Sequence, residues 1–202
     1  MDVMVDEATE DITKMAAMSP SEKSYFETSV LAHAKHRIAW LLILMFSATI
    51  TGTIITRYEN AFAAIPLLVS FIPMLMDTGG NCGSQSSTLI IRGIALGEIQ
   101  FSDLFRVMFK EFRVSLIVGV ALALANGIRI LIMYKNAGLA LVIGLSLVAT
   151  IVISKLIGCV LPLIAKKLHM DPAIMASPLI TTLVDTCSIL IYFNIATQVF
   201  QL

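Results

Sequence analysis

Residues 137–165 read AGLALVIGLSLVATIVISKLIGCVLPLIA, with Lys155 as their one charge. About 20 consecutive apolar residues suffice for a helix to cross the hydrocarbon of a bilayer. Inside hydrocarbon the backbone N–H and C=O groups must bond within the protein, so a run of this kind is restricted to a helix. Four further segments qualify, at 38–56, 61–91, 114–134 and 174–199. The expected fold is therefore an all-α polytopic membrane protein with five transmembrane helices. Composition agrees: 57% of the 202 residues are hydrophobic and 14% charged, against about 45–50% and 25% in soluble domains. Residues 33–202 form the transmembrane domain in this reading, and 1–32 a polar tail.

Zero net charge gives nucleic-acid binding no electrostatic support. Cys82, Cys159 and Cys187 are scattered through apolar segments and form no CxxC pair, so neither a disulfide framework nor a zinc site is indicated. The acidic, polar N-terminus is not a signal peptide. Lys35, Arg37, Arg92, Arg106, Lys110, Arg113, Lys166 and Lys167 flank the spans on one side, and Arg57 and Lys135 on the other. The positive-inside rule then predicts a cytoplasmic N-terminus and an external C-terminus. Residues 102–113 (SDLFRVMFKEFR) read as a short amphipathic surface helix with Leu104, Phe105, Met108, Phe109 and Phe112 on one face.

The second span is too long for a simple crossing. As a straight helix it would reach about 46 Å. It also contains LMDTGGNCGSQSS at 75–87. Gly79, Gly80 and Gly83 predict a break there, because glycine readily leaves the helix and unwound backbone at membrane depth lines a wet cavity or is buried in protein. Asp77 lies in this stretch and Asp185 inside the fifth span. Arg129 and Lys155 lie near span ends and can snorkel to an interface, whereas an aspartate is too short to do so. Each acid belongs to a polar row: Asp77, Asn81, Ser84 and Thr88, with Gln85 beside them, and Ser177, Thr181, Asp185 and Ser188. The first row follows i, i+4, i+7, i+11 spacing and the second i, i+4, i+8, i+11, and each spacing places its row on one helical face. Two such rows point to a pore or binding site rather than to hydroxyls bonding helix to helix, the alternative being a structural ion pair of the acids with Arg129 or Lys155.

Carboxylate, hydroxyl, amide and carbonyl oxygens suit magnesium or calcium rather than zinc or copper. Magnesium keeps several of its waters, so a polar ring with one or two carboxylates would hold it hydrated. A two-fold dimer would bring a second Asp185 to the same axis.

PMLMDTGGNCGSQSSTLIIRGIALGEI (73–99) closely resembles the signature of the MgtE family of magnesium channels, which is related to an animal family of solute carriers. MDPAIMASPLITTLVDT (170–186) resembles the family's entry to its fifth membrane helix, and DVMVDEATEDI (2–12) the end of its CBS domain and the start of a connecting, or plug, helix. The resemblance implies a homodimeric channel in a bacterial-type plasma membrane, with the pore on the two-fold axis between second and fifth helices. It implies that Asp185 holds the hydrated Mg2+ with the Thr181 backbone carbonyl, and that Ser84, Thr88 and Ser177 line the pore, to which the polar row of the second span adds Asp77, Asn81 and Gln85 as expected lining. Glu7, Glu10, Asp11 and Asp171 would belong to magnesium-sensing contacts between plug helix and pore mouth. The sequence departs from the family pattern in that the amino-terminal helical domain and nearly all of the CBS pair are absent from it, leaving 1–32 as the junction and plug.

Two other readings stand beside the channel. One is a secondary carrier coupled to sodium or protons, hinted at by the echo of LMDT (75–78) in LVDT (183–186). The other, more remote, is an intramembrane aspartyl protease using the Asp-Thr-Gly of Asp77. Its second acid lies in Asp-Thr-Cys, without the following glycine, so a non-enzymatic protein is expected.

Overall fold

A computed structural model describes residues 2–16, 18, 25–175 and 177–201; the side chains of 2–8, 60–62, 175 and 177 lie outside that description. Helices α1 (Asp2–Met15), α2 (Val30–Arg57), α3 (Glu59–Ala64), α4 (Ile72–Ala95), α5 (Leu104–Tyr134), α6 (Ala137–Lys167) and α7 (Ser177–Phe200) follow in order, with 3-10 turns at Pro66–Phe71, Phe101–Asp103 and Pro172–Met175. No strand occurs among the described residues. Four helical segments among them are long and apolar enough to cross a membrane: Val30–Arg57, Phe101–Tyr134, Ala137–Lys167 and Pro178–Phe200. The 24-residue α4 is the other long helix, and its polar stretch sets it apart from those four.

Local chemistry fixes the helix ends. The Ser29 side chain accepts the Ala32 N–H at 3.3 Å and starts α2, and Asn136 accepts the Leu139 N–H at 2.9 Å and starts α6. Lys135, at φ 49°, takes the left-handed conformation that ends α5. Only Asn136 then separates it from α6, so the two helices form a tight hairpin.

The bundle is organised around α6, which packs against α4, α5 and α7. Its buried positions Leu139, Val142, Ile143, Ser146, Leu147, Thr150, Ile151, Ser154 and Gly158 recur at three- and four-residue steps. One core joins Leu75 of α4 and Leu147 of α6 to Tyr192 and Phe193 of α7. There the Tyr192 hydroxyl donates to the Leu68 carbonyl at 2.8 Å. A second core gathers Ile90, Ile94, Cys159 and Leu163 with Phe101, Leu104 and Val107. In contrast α2 buries only Thr51. The Thr51 hydroxyl meets that of Thr186 on α7 at 2.8 Å.

The predicted break at the glycines is not found. α4 runs as unbroken α-helix through Gly79, Gly80 and Gly83. The irregular stretch lies upstream, where Pro66 opens a 3-10 turn and α4 starts next to Pro73. The glycines serve close approach instead. A Cβ built on Gly79 would fall 2.7 Å from Thr150 Cγ2 and 2.8 Å from Val184 Cγ1, and one on Gly83 2.7 Å from Ile180 Cγ2. In lipid, helix association rests on such packing because the tails are as apolar as leucine. An intact helix also keeps its backbone bonds, which unwinding would have to replace. The predicted surface helix at 102–113 is likewise not separate: its residues from Leu104 onward are the first turns of the 31-residue α5. Leu104 and Met108 pack inward with Val107, whereas Phe105 and Phe109 are exposed.

Candidate functional site

The buried stripe of α4 comprises Leu75, Gly79, Cys82, Gly83, Ser86, Ile90 and Gly93. Because the helix is unbroken, Asp77, Asn81, Gln85 and Thr88 are carried on the other side, and all four are exposed. Ser84 is half-buried between the two faces. The Thr88 hydroxyl donates to the Ser84 carbonyl at 2.9 Å, so its polar group is already satisfied within the helix.

Asp77 and Asp185 share one cleft. Its volume is about 430 Å3, and it is lined by Ile72, Pro73, Met76, Asp77, Gly80 and Asn81 of α4 and by Thr181 and Asp185 of α7. Gly80 brings the helices together here: a Cβ on it would meet Thr181 Cγ2 at 3.0 Å. The Thr181 hydroxyl donates to the Pro178 carbonyl at 2.9 Å. Among the described residues no lysine, arginine or histidine lines the cleft, and no hydrogen bond joins the two carboxyls. Ser188 departs from the expected row. It is buried, beside Gly79, and donates to the Val184 carbonyl at 2.7 Å. The Ser177 side chain lies outside the described residues. Among the described residues no group of three or more His, Cys, Asp or Glu side chains is gathered to hold a metal ion.

Lys155 does not snorkel. It is 5% exposed, its Nζ lies 3.8 Å from Glu111 Oε2, and it donates to Ser86 Oγ at 3.2 Å. Ser86 in turn donates to Glu111 at 2.6 Å. The three side chains tie α4, α5 and α6 together, and sequence reasoning missed two of them. The available signal was Glu111 itself, one acid within a basic segment whose helix continues into a span. Arg129 stays exposed, donates to Asn126 Oδ1 at 2.9 Å and lies over the Phe71 ring.

At the α6–α7 connection, Lys14 of α1 meets Asp171 Oδ2 at 2.6 Å and Glu10 Oε1 at 2.5 Å. Two of the four expected sensing acids are thus joined through a lysine that was not foreseen. Asp11 is exposed on α1, and the Glu7 side chain lies outside the described residues. Burial pushes the Asp171 carboxyl up, but the Lys14 hydrogen bond, the Ala173 amide and the Lys14 and Lys166 charges outweigh it and hold the group below its ordinary value. Hydrogen bonds from Lys14 to Asp171 and then Glu10 raise the ammonium above its own.

Apolar helices of membrane length around a cleft bearing two aspartates and no cation define an integral membrane protein with an acidic site between packed helices. The family of divalent cation transporters named MgtE matches residues 72–195, a span that includes both aspartates. The chain belongs to the MgtE family. It is 39% identical to the magnesium transporter MgtE of Bacillus subtilis over 98% of its length. It is 36% identical to that of Thermus thermophilus over 97%, and 34% identical to that of Enterococcus faecalis over 98%. In each case the match covers 43% of the relative, so the chain spans less than half of the length of these proteins.

Proposed function

We propose that the chain forms the membrane pathway of a magnesium channel, a two-fold dimer in which α4 and α7 of both copies surround the ion. Asp185 of each copy holds hydrated Mg2+ through its water shell, with the Thr181 carbonyl as a further oxygen ligand. Asp77, Asn81, Ser84, Gln85 and Thr88 give the wall its polarity, with Ser177 at the end of α7. The helix α4 is the fifth span, its polar face turned to water rather than to lipid. The N-terminus lies on the cytoplasmic side, where α1 meets the pore mouth through Lys14 and Asp171.

One observation carries this reading: a continuous exposed polar face on α4 ends in a cleft whose two carboxylates have no cationic partner. Lipid is a poor neighbour for such a face, because carboxylates at membrane depth normally face a bundle interior or a water-filled cavity. One chain supplies two carboxylates, few for a divalent ion, and a second copy doubles them. The relatives' names favour magnesium as cargo. The protease reading has less support, since an aspartyl dyad needs carboxyls about 3 Å apart sharing a proton, and these two share no hydrogen bond. A sodium- or proton-coupled carrier would use the same residues, and coupling of flux to either gradient would favour it.

The test is Mg2+ uptake into proteoliposomes under an inward-negative potential. The parent chain should pass magnesium, and Asp185→Ala should pass none while remaining a dimer by light scattering. Undiminished uptake in the variant would refute the site.

A further inference from the structure

A second polar cleft, about 640 Å3, opens where α4 ends and α5 begins. The Lys155–Glu111 pair lines it, and Leu89, Val107 and Val114 give it an apolar wall. Arg92, Arg106 and Lys110 also line it, and all three are exposed. Glu111 is engaged by Ser86 and Lys155, and Asp103, also in the lining, accepts the Gln100 N–H at 3.0 Å. Glu98 is the remaining acid. The side chains of Arg92, Arg106 and Lys110 have no hydrogen bond or ion pair among the described residues, so three cations are unengaged beside one such acid.

We propose that this cleft seats an anionic phospholipid, with its phosphate on Arg92, Arg106 and Lys110 and an acyl chain along Leu89 and Val114. The chemistry recognised is a phosphate monoanion joined to an apolar tail. A membrane lipid fits better than a soluble phosphate because Leu89 and Val114 are themselves exposed, at 60% and 36%, so the apolar wall continues onto the outer surface of the bundle. Phe105 and Phe109, exposed on the same first turns of α5, offer the kind of apolar surface that interfacial helices bury at the headgroup–acyl boundary. Basic pockets between membrane helices are a recurring form of headgroup site. The site is separate from the Asp77–Asp185 cleft and does not depend on what that cleft transports.

Native mass spectrometry of the 202-residue chain, released from an equimolar mixture of phosphatidylglycerol and phosphatidylcholine, reads the preference directly. The parent should retain phosphatidylglycerol on the order of a hundredfold over phosphatidylcholine, about fivefold for each of the three cations. Arg92→Gln, Arg106→Gln and Lys110→Gln should each lower that ratio about fivefold, the contribution of one cation near an anionic surface. Each variant is tested singly because the parent side chain holds no partner whose loss would unfold the bundle. Arg113→Gln and Lys166→Gln, which remove cations outside the cleft, should leave the ratio unchanged. Equal retention of the two lipids, or an equal loss in the outside variants, would overturn the site. Displacement of phosphatidylglycerol by inorganic phosphate would overturn its assignment to lipid.

Discussion

Two groups of ionisable side chains lie along the helices of this protein, and they are treated in opposite ways. At one end of α4, Glu111 and Lys155 are buried at 8% and 5% exposure and share the Ser86 hydroxyl, so each charge has a partner within the chain. Near the start of the same helix, Asp77 and Asp185 line an open cleft without a cation. The first arrangement is closed: it satisfies its own charges and joins three helices. The second is open, and no cation among the described residues lines it. Burial of a charge is therefore not what marks function here. In the proposed channel, the mark is a carboxylate that the fold leaves without a cation of its own.

Breaking the closed group should have the largest effect on stability. Lys155→Met leaves Glu111 buried without its cation, at a cost of about 3–5 kcal/mol. Thermal unfolding in detergent should show a steep loss of melting temperature. Changing Glu111→Leu in the same chain should recover most of it, since a buried ion pair replaced by apolar groups of similar volume is often neutral. The open group should respond the other way. Neutralising Asp185 should remove flux while the melting temperature holds. If both positions lost only stability, the contrast would fail.

Close packing between α4 and its neighbours comes next. Gly79→Val drives a side chain into Thr150 and Val184. Overpacking of this kind costs about 1–3 kcal/mol. Because it moves α4 against α7, it should disturb the acid cleft and the bundle together. A melting temperature unchanged from the parent would show that α4 does not sit as tightly as the glycines indicate.

The sequence made the helices legible because a bilayer permits few alternatives, and Asp77 and Asp185 stood out as short acids in apolar surroundings. Their meeting in one cleft was legible from two rows of helical spacing, although Ser188 left its row for the packed face. The glycines were misread because one residue type serves both unwinding and close approach, and only the neighbours at Thr150, Val184 and Ile180 decide between them. Glu111 was missed because a helix expected to end at 113 continues into α5, which turns a surface acid into a buried one. The partner for Lys155 therefore lay in a segment assigned to the membrane surface.

Within the open cleft, the two aspartates should separate. Asp77 is exposed on α4, whereas Asp185 is half-buried on α7. If the ion is held at Asp185, Asp77→Asn keeps the shape and polarity of the wall and loses only a contributing charge. Flux in proteoliposomes should fall by a small factor, and the melting temperature should not move. Abolished flux in Asp77→Asn would make the two acids equal partners in holding the ion.

The smallest effect is expected at Lys14, where charges are paired as at Glu111 but lie near solvent. Exposed ion pairs contribute about 0–1 kcal/mol, so Lys14→Ala should leave global unfolding almost unchanged and raise hydrogen exchange in α1. The pH dependence has a definite sign. Asp171 is held below its ordinary value in the folded chain, so its contribution is fully present above the unfolded carboxyl pKa of about 3.9. It is lost as pH falls through the lower folded value. Exchange in α1 should therefore be flat from neutral pH down to about pH 5 after correction for intrinsic rates, and increase only below about pH 4. Lys14→Ala should remove that step. A step that persisted in the variant would assign the docking of α1 to contacts other than this bridge, and the contrast between closed and open charge groups would then hold only along the membrane helices.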